Sequence, residues 1–227
     1  MKHLDITFDL ETCSLDVTAA IMQLGAVAWN RNAKTSDEIF LLDNTDIMNE
    51  YFNMGVDMRK EFIAGLDFDP ATANWWQNQK EEVKEEMLKP QTLPVDEVIS
   101  QFTNWVKTLQ MRTGAESVTV WSQGADFDCA ILRHIASLFH VALPCKFQNF
   151  RCARTYAQEV GAMLLDDPLE AARNPYAVYK AIPEYSEEAF PKKALVHDAL
   201  YDSRRTAWST WHFMQVFRNE SPKQSEI

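Results

Sequence analysis

Cysteine is scarce and unpatterned in this chain. The four present, Cys13, Cys129, Cys145 and Cys152, form no Cys-x-x-Cys pair, which argues against a zinc ribbon and a disulfide framework and predicts reduced, mostly buried thiols. Basic residues are outnumbered: 22 Lys and Arg against 33 Asp and Glu give a formal net charge of -11 and a pI near 4.9. Such a balance weighs against coating long nucleic acid through a broad basic face. It does not weigh against a nucleic-acid enzyme, because clustered carboxylates can hold divalent cations that supply positive charge where a phosphate must sit. Also missing are an opening apolar signal segment and any stretch long and charge-free enough to span a bilayer. A cytoplasmic protein with no membrane contact is therefore the expectation. No repeat, low-complexity tract or linker divides the 227 residues, so one domain over 1–220 with a polar tail at 221–227 is predicted.

What is present reads as α/β with a mixed sheet. In 4–10, Leu4, Ile6, Phe8 and Leu10 alternate with Asp5, Thr7 and Asp9, the period of a half-buried strand. The apolar run 20–29 and the segment 38–42 follow, so three sequential strands would form an antiparallel meander. Pro70, tolerated in a first helical turn, opens a helix carrying Trp75 and Trp76. Glu81, Glu82, Glu85 and Glu86 read as a solvated helix face, and a longer helix is predicted over 95–110. A short buried strand at 118–121 leads into a helix over 127–139 with Ile131, Leu132, Ile135 and Leu138 on one face. A strand at 146–150, a helix at 154–160, an irregular lobe over 161–193 with a short helical turn, and a last helix over 197–217 complete the chain.

Three constellations carry chemistry. Asp9 and Glu11 stand two apart on one face of the first strand, about 6.5–7 Å apart along it, and carboxylates so placed can share a metal. Alone, such a pair reads first as two solvated carboxylates; the apolar Phe8 and Leu10 opposite fix its direction and shift the reading towards a metal pair. Asp128 falls in the first turn of the helix that follows Gly124, where Asp126 or Asp128 alone reads as a cap or dipole partner. His197 and Asp202 are five apart at a helix start, so neither lies directly over the other, yet a His just ahead of the first turn can approach a metal held by Asp202. His3, His134, His140 and His212 have no acidic constellation and are assigned to surface or core.

Phe8-Asp9-Leu10-Glu11-Thr12, then Phe127-Asp128 with Leu132 four positions on, then His197-x4-Asp202 resemble, in order and across nearly the whole chain, the three motifs of the DEDDh exonuclease superfamily. Asn74-Trp-Trp-Gln-Asn-Gln79, Pro144-Cys-Lys-Phe147 and Arg151-x2-Arg154-Thr155 look like the subgroup that contains exonuclease A of T-even bacteriophages and bacterial exoribonuclease-like proteins. Two positions depart from the pattern. Gly124 stands where many members carry Asn, and Cys152 where the phage-like subgroup tends to carry Asp; neither removes a metal ligand.

The resemblance implies an RNase H-like fold, a mixed central sheet flanked by helices, and a 3′-to-5′ exonuclease that uses two divalent ions, Mg²⁺ or Mn²⁺. It casts Asp9, Glu11, Asp128 and Asp202 as metal ligands and His197 as the base that activates the attacking water. Thr12, Trp75, Trp76 and Arg154 become candidates for nucleic-acid contact; base stacking on Trp is worth roughly 1–3 kcal/mol per base, though adjacent helix positions point apart and one Trp is expected in the core. Lys192, Lys193, Arg204 and Arg205 are read as surface residues that could meet phosphates. The implied substrate is a single-stranded 3′ end, DNA slightly favoured over RNA, cut to nucleoside 5′-monophosphates. An exoribonuclease that trims RNA or 3′ overhangs is the alternative of the same class. A catalytically inactive module that binds nucleic acid or a partner is the alternative of another class, and the presence of all five catalytic residue types argues against it. The lobe at 161–193 could also form a homodimer contact.

Overall fold

The computed structural model describes residues 2–40, 50–87, 89–163, 165, 167, 169–174, 177–180 and 197–220. Three strands come first: β1 (His3–Thr12), β2 (Ile21–Trp29) and β3 (Tyr51–Gly55). Four helices follow, α1 (Arg59–Ala64), α2 (Pro70–Gln77), α3 (Glu81–Met87) and α4 (Val95–Thr113), and lead to β4 (Ser117–Ser122). A π-helical turn at Ala125–Cys129 runs into α5 (Ala130–Leu138); then come β5 (Phe150–Cys152), α6 (Ala153–Ala162), the short α7 (Glu170–Arg173) and α8 (Ala177–Lys180), and the long α9 (Ala199–Glu220). The sheet order is β3-β2-β1-β4-β5. β2 runs antiparallel to β1 and β3, while β1, β4 and β5 are mutually parallel along the ladder. This is the expected mixed sheet flanked by helices, with β1 at its centre.

Alternation along β1 sends two residue sets into two different cores. Leu4, Ile6, Phe8 and Leu10 pack with Val98, Ile99, Phe102 and Val106 of α4 and with Ile131, Leu132 and Ile135 of α5. The opposite face was expected to be solvated, and it is instead buried. Val27, Trp29 and Trp121 on that side pack with Ala153 of α6 and with Ala207, Trp208 and Trp211 of α9. Polar groups survive there because each is bonded: Asp5 accepts from Arg31 Nε at 2.6 Å and from Trp121 Nε1 at 2.8 Å, and Thr7 accepts from Trp29 Nε1 at 2.9 Å. A buried polar group without such a partner costs about 1–3 kcal/mol. His3, assigned no acidic neighbour from the sequence, stands 3.6 Å from Asp5.

Several boundaries differ from the sequence reading. Residues 36–38 form a 3₁₀ turn, and Ile39 beyond it is fully buried in the Trp29 cluster; its apolarity serves that core, and 41–42 lie outside the described residues. The third strand is 51–55, where Phe52 points inward onto Phe102, ring centroids 5.7 Å apart. The strand expected at 146–150 starts at Phe150, after a 3₁₀ turn, because its pairing is with Val120–Ser122 at the end of β4. α2 opens as expected, with Pro70 in its first turn and Asp69 accepting from Thr72 N at 2.8 Å. Within the expected irregular lobe, α7 and α8 are ordered, whereas Lys192, Lys193 and the tail at 221–227 lie outside the described residues. No helix among the described residues is long and apolar enough to cross a membrane.

Candidate active site

The strand, the π-turn and the start of α9 converge on one acidic centre. Asp9 and Glu11 leave β1 on the α9 side, and each of Asp9, Glu11 and Asp202 offers a carboxylate oxygen within 4.8 Å of the others. The β1–β2 register shifts between Glu11 and Thr12, a local irregularity of the kind that re-aims side chains beside active sites. Asp128 sits inside the π-turn, while the N-cap positions of that turn and of α5 are Gly124 and Cys129, so the cap reading does not hold. It is instead buried next to the backbone of Leu10, on the strand segment between Asp9 and Glu11. π-turns inside helices recur at functional sites because they swing one residue out of helical register.

Packing these carboxylates together raises their pKa values. Burial and the charges of Asp128, Glu11, Asp202 and Asp198 push Asp9 well above the ordinary carboxylate range. Burial, then Asp202, Asp198 and Asp128, lift Glu11 to about 8. Burial lifts Asp128 to about 7, although backbone groups of Leu10 and Gly124 and the Arg154 guanidinium pull the other way. Asp202 is also raised by burial, with His197 and Arg205 opposing. Buried carboxylates that repel one another are a poor resting arrangement but a good donor set: hard oxygen ligands suit a divalent cation, which would neutralise them together. The residues therefore fit a divalent metal.

His197 precedes α9 in a left-handed conformation, φ 66°, which a non-glycine residue adopts only at a cost and most often near functional sites. In that turn its backbone N–H donates to Asp202 Oδ2 at 3.2 Å. Its ring lies edge-on to Trp75, centroids 4.8 Å apart, and 6.4 Å from Trp76. The two tryptophans have separate tasks. Trp76 Nε1 donates to the Thr12 carbonyl at 2.9 Å, which ties α2 to the end of β1, while Trp75 is 43% exposed. Thr12 is buried, and its hydroxyl donates to Ser14 O at 2.8 Å; its side chain holds the loop together.

Beside the acidic centre lies a cavity of about 190 Å³ bordered by Asp9, Asp202, Arg154 and Arg205. At Gly124 a side chain would meet the Arg154 Nη atoms at 3.6 Å, so that guanidinium stands where the Asn of the resembled pattern would reach. Cys152, the other departure, accepts from Thr155 N at 3.4 Å and caps α6, the helix that carries Arg154. Some cavity residues were not singled out from sequence. Gln123 Nε2 donates to Tyr179 Oη at 2.7 Å, and Thr206 Oγ1 donates to Gln123 Oε1 at 3.3 Å. Tyr179 lies within the stretch expected to be irregular, where no periodicity marks it. Arg205, read from the sequence as a surface residue that could meet phosphates, borders the same cavity.

No curated protein sequence matches the chain. Among solved structures, the fold is similar to the nuclease domain of 3′hExo, described as a DEDDh family member bound to rAMP. The TM-score is 0.57 at 12% identity, over 94% of this chain and 92% of that one. At that identity the likeness concerns the fold. The sequence itself matches the family described as the 3′-5′ exoribonuclease Rv2179c-like domain over residues 4–213. That match spans the strand, the π-turn and the start of α9, and with them every carboxylate of the acidic centre; the chain belongs to the 3′-5′ exoribonuclease Rv2179c-like domain family and is a 3′-5′ exonuclease.

Proposed function

We propose that the chain removes nucleotides one at a time from the 3′ end of single-stranded RNA, releasing nucleoside 5′-monophosphates, with two divalent cations held by Asp9, Glu11, Asp128 and Asp202. The observation that carries this reading is the convergence of Asp9, Glu11 and Asp202 within 4.8 Å beside a histidine. Bound cations would polarise the scissile phosphate and stabilise charge on the attacking and leaving oxygens. Asp128, Glu11 and Asp202 all bear on the Asp9 carboxyl, which supports Asp9 as the ligand that both ions would share. His197 takes the proton from the attacking water, a task suited to imidazole near neutral pH. Its ring is held by Trp75 and its backbone by Asp202, which limits the orientations from which it can accept. Arg154 and Arg205, bordering the cavity next to Asp9, face the place where phosphate oxygens would sit.

The sequence alone leaned slightly towards DNA. The family description names an exoribonuclease, and we take RNA as the substrate. A single strand is favoured because the acidic chain offers few cations for a long phosphate backbone. Purified protein is tested on matched single-stranded RNA and DNA labelled at either end, with Mg²⁺, Mn²⁺ or EDTA. The 3′ label should leave first as a mononucleotide, only with metal, and faster from RNA. Faster cutting of DNA would reverse the sugar assignment, and equal attack on blunt duplex would overturn the preference for single strands.

A further inference from the structure

The acidic centre is assembled from β1 and α9, and something must fix the start of α9 relative to the sheet. Asp202 and His197 cannot do this, being themselves the groups to be placed. Gln23 lies on β2 in register with Glu11, buried to 5% exposure. Its amide spans the helix start at two points: Oε1 accepts from Ala199 N at 3.0 Å, and Nε2 donates to Asp198 Oδ2 at 3.2 Å. Asp198 Oδ1 in turn accepts from Tyr201 N at 3.0 Å, and Asp198 O accepts from Asp202 N at 3.0 Å. Gly25, in register with Asp9, makes this approach possible: a Cβ there would come within 2.2 Å of Ala199 C and Leu200 N. The first turn of α9 thus rests directly on β2 backbone, with Gln23 latching it.

We infer that Gln23 is a positioning residue for the reaction: by clamping Ala199 and Asp198 to β2 it sets where the Asp202 carboxylate and the His197 turn stand against Asp9 and Glu11. A second consequence concerns Asp198, whose charge raises both Asp9 and Glu11. The Gln23 amide N–H holds that carboxylate against β2. A glutamate in place of Gln23 would keep the acceptor for Ala199 N but set two carboxylates against each other, opening the latch on its Asp198 side. Changing Asp198 to asparagine in the same chain restores the match with the polarity reversed. The new amide donates to the new carboxylate, and its oxygen still caps Tyr201 N.

The inference rests on the assignment of Asp202 and His197 to the site, so Asp202→Ala serves as the control for that assignment. Wild type, Gln23→Met, Gln23→Glu and Gln23→Glu/Asp198→Asn are compared by kcat and KM on single-stranded RNA, and by the rise in Tm on adding Mn²⁺. Met fills a volume similar to Gln without the amide, which keeps the comparison readable if the charged variant folds poorly. Gln23→Met and Gln23→Glu should lower kcat by about 10- to 100-fold while KM moves little, and the Mn²⁺-induced rise in Tm should shrink. The double variant should recover most of both losses. Wild-type kcat and a full Mn²⁺ response in the two single variants, or a double variant no faster than Gln23→Glu, would overturn the clamp. If Asp202→Ala remained active, the site assignment itself would fail, whatever the Gln23 variants did.

Discussion

Trp75 packs edge-on against His197, ring centroids 4.8 Å apart and planes at 82°, so a helix from the first half of the chain braces the turn that opens the last helix. Aromatic pairs in this arrangement contribute about 0.5–1.5 kcal/mol beyond the area they bury. The imidazole is thereby held by its ring from α2 and by its backbone from Asp202 Oδ2 at 3.2 Å. Trp76, its neighbour, bonds to the Thr12 carbonyl instead.

Trp75→Ala should therefore lower kcat by about tenfold, the factor for 1.4 kcal/mol, beyond any change in KM. Steady-state kinetics on a short single-stranded RNA separates the two parameters. A rise in KM alone would make Trp75 a base contact with no part in holding His197.

Replacing any one of Asp9, Glu11, Asp128 or Asp202 by alanine should cost several kcal/mol of transition-state stabilisation, roughly a thousandfold in rate. The same change should raise the melting temperature of the metal-free protein, because each removes a buried or half-buried carboxyl from a crowded acidic group. Circular dichroism melts in EDTA check the second half. Lower melting temperatures in all four would show that the carboxyls stabilise the metal-free fold, against this account.

The pH dependence of stability follows from the same group. Asp9, Glu11, Asp128 and Asp202 are all raised above their unfolded values, so the folded protein binds more protons than the unfolded chain. Their contribution is present in full below the unfolded carboxylate range and is lost as pH rises through about 7 for Asp128 and about 8 for Glu11. In EDTA, Tm should fall between about pH 5.5 and about pH 8.5, and saturating Mn²⁺ should reverse the slope by binding the deprotonated carboxylates. A Tm that climbs over this range in EDTA would contradict the raised values.

Glu61 on α1 adds a separable part. It is fully buried, its Oε1 accepts from Ile21 N at 2.9 Å, and its Oε2 has no hydrogen-bond partner among the described residues. Burial pushes it to about 8, with the Ile21 bond opposing. Its stabilising share is likewise lost as pH rises through that value. Glu61→Gln keeps an acceptor for Ile21 N and cannot ionise, so its Tm relative to wild type should improve steadily above neutral pH. A difference that stays constant with pH would show that Glu61 does not titrate there.

Much of the site was legible because its residues lie in strong local patterns. Alternation along β1 placed Asp9 and Glu11 on one face, and the His197-x4-Asp202 spacing at a helix start placed the third element. What local pattern could not show was the left-handed turn at His197 or the π-turn that carries Asp128, nor that these two residues meet distant segments, His197 the Trp75 ring and Asp128 the Leu10 backbone. The third strand was misplaced because the apolar residues near Ile39 outweigh the short alternation of Tyr51–Gly55, and Ile39 proves to serve the Trp29 core. Gln23 was invisible as a site residue for the same reason: its partner Ala199 lies 176 positions away, and a lone glutamine in an apolar strand carries no signal of that contact.

Anomalous diffraction from crystals grown with Mn²⁺ and a nucleoside 5′-monophosphate tests the central assignment most directly. Two manganese peaks are predicted, both within ligand distance of Asp9, with Glu11, Asp202 and Asp128 completing the set and the nucleotide phosphate against them. Manganese bound elsewhere, with no peak in reach of Asp9, Glu11 and Asp202, would contradict it.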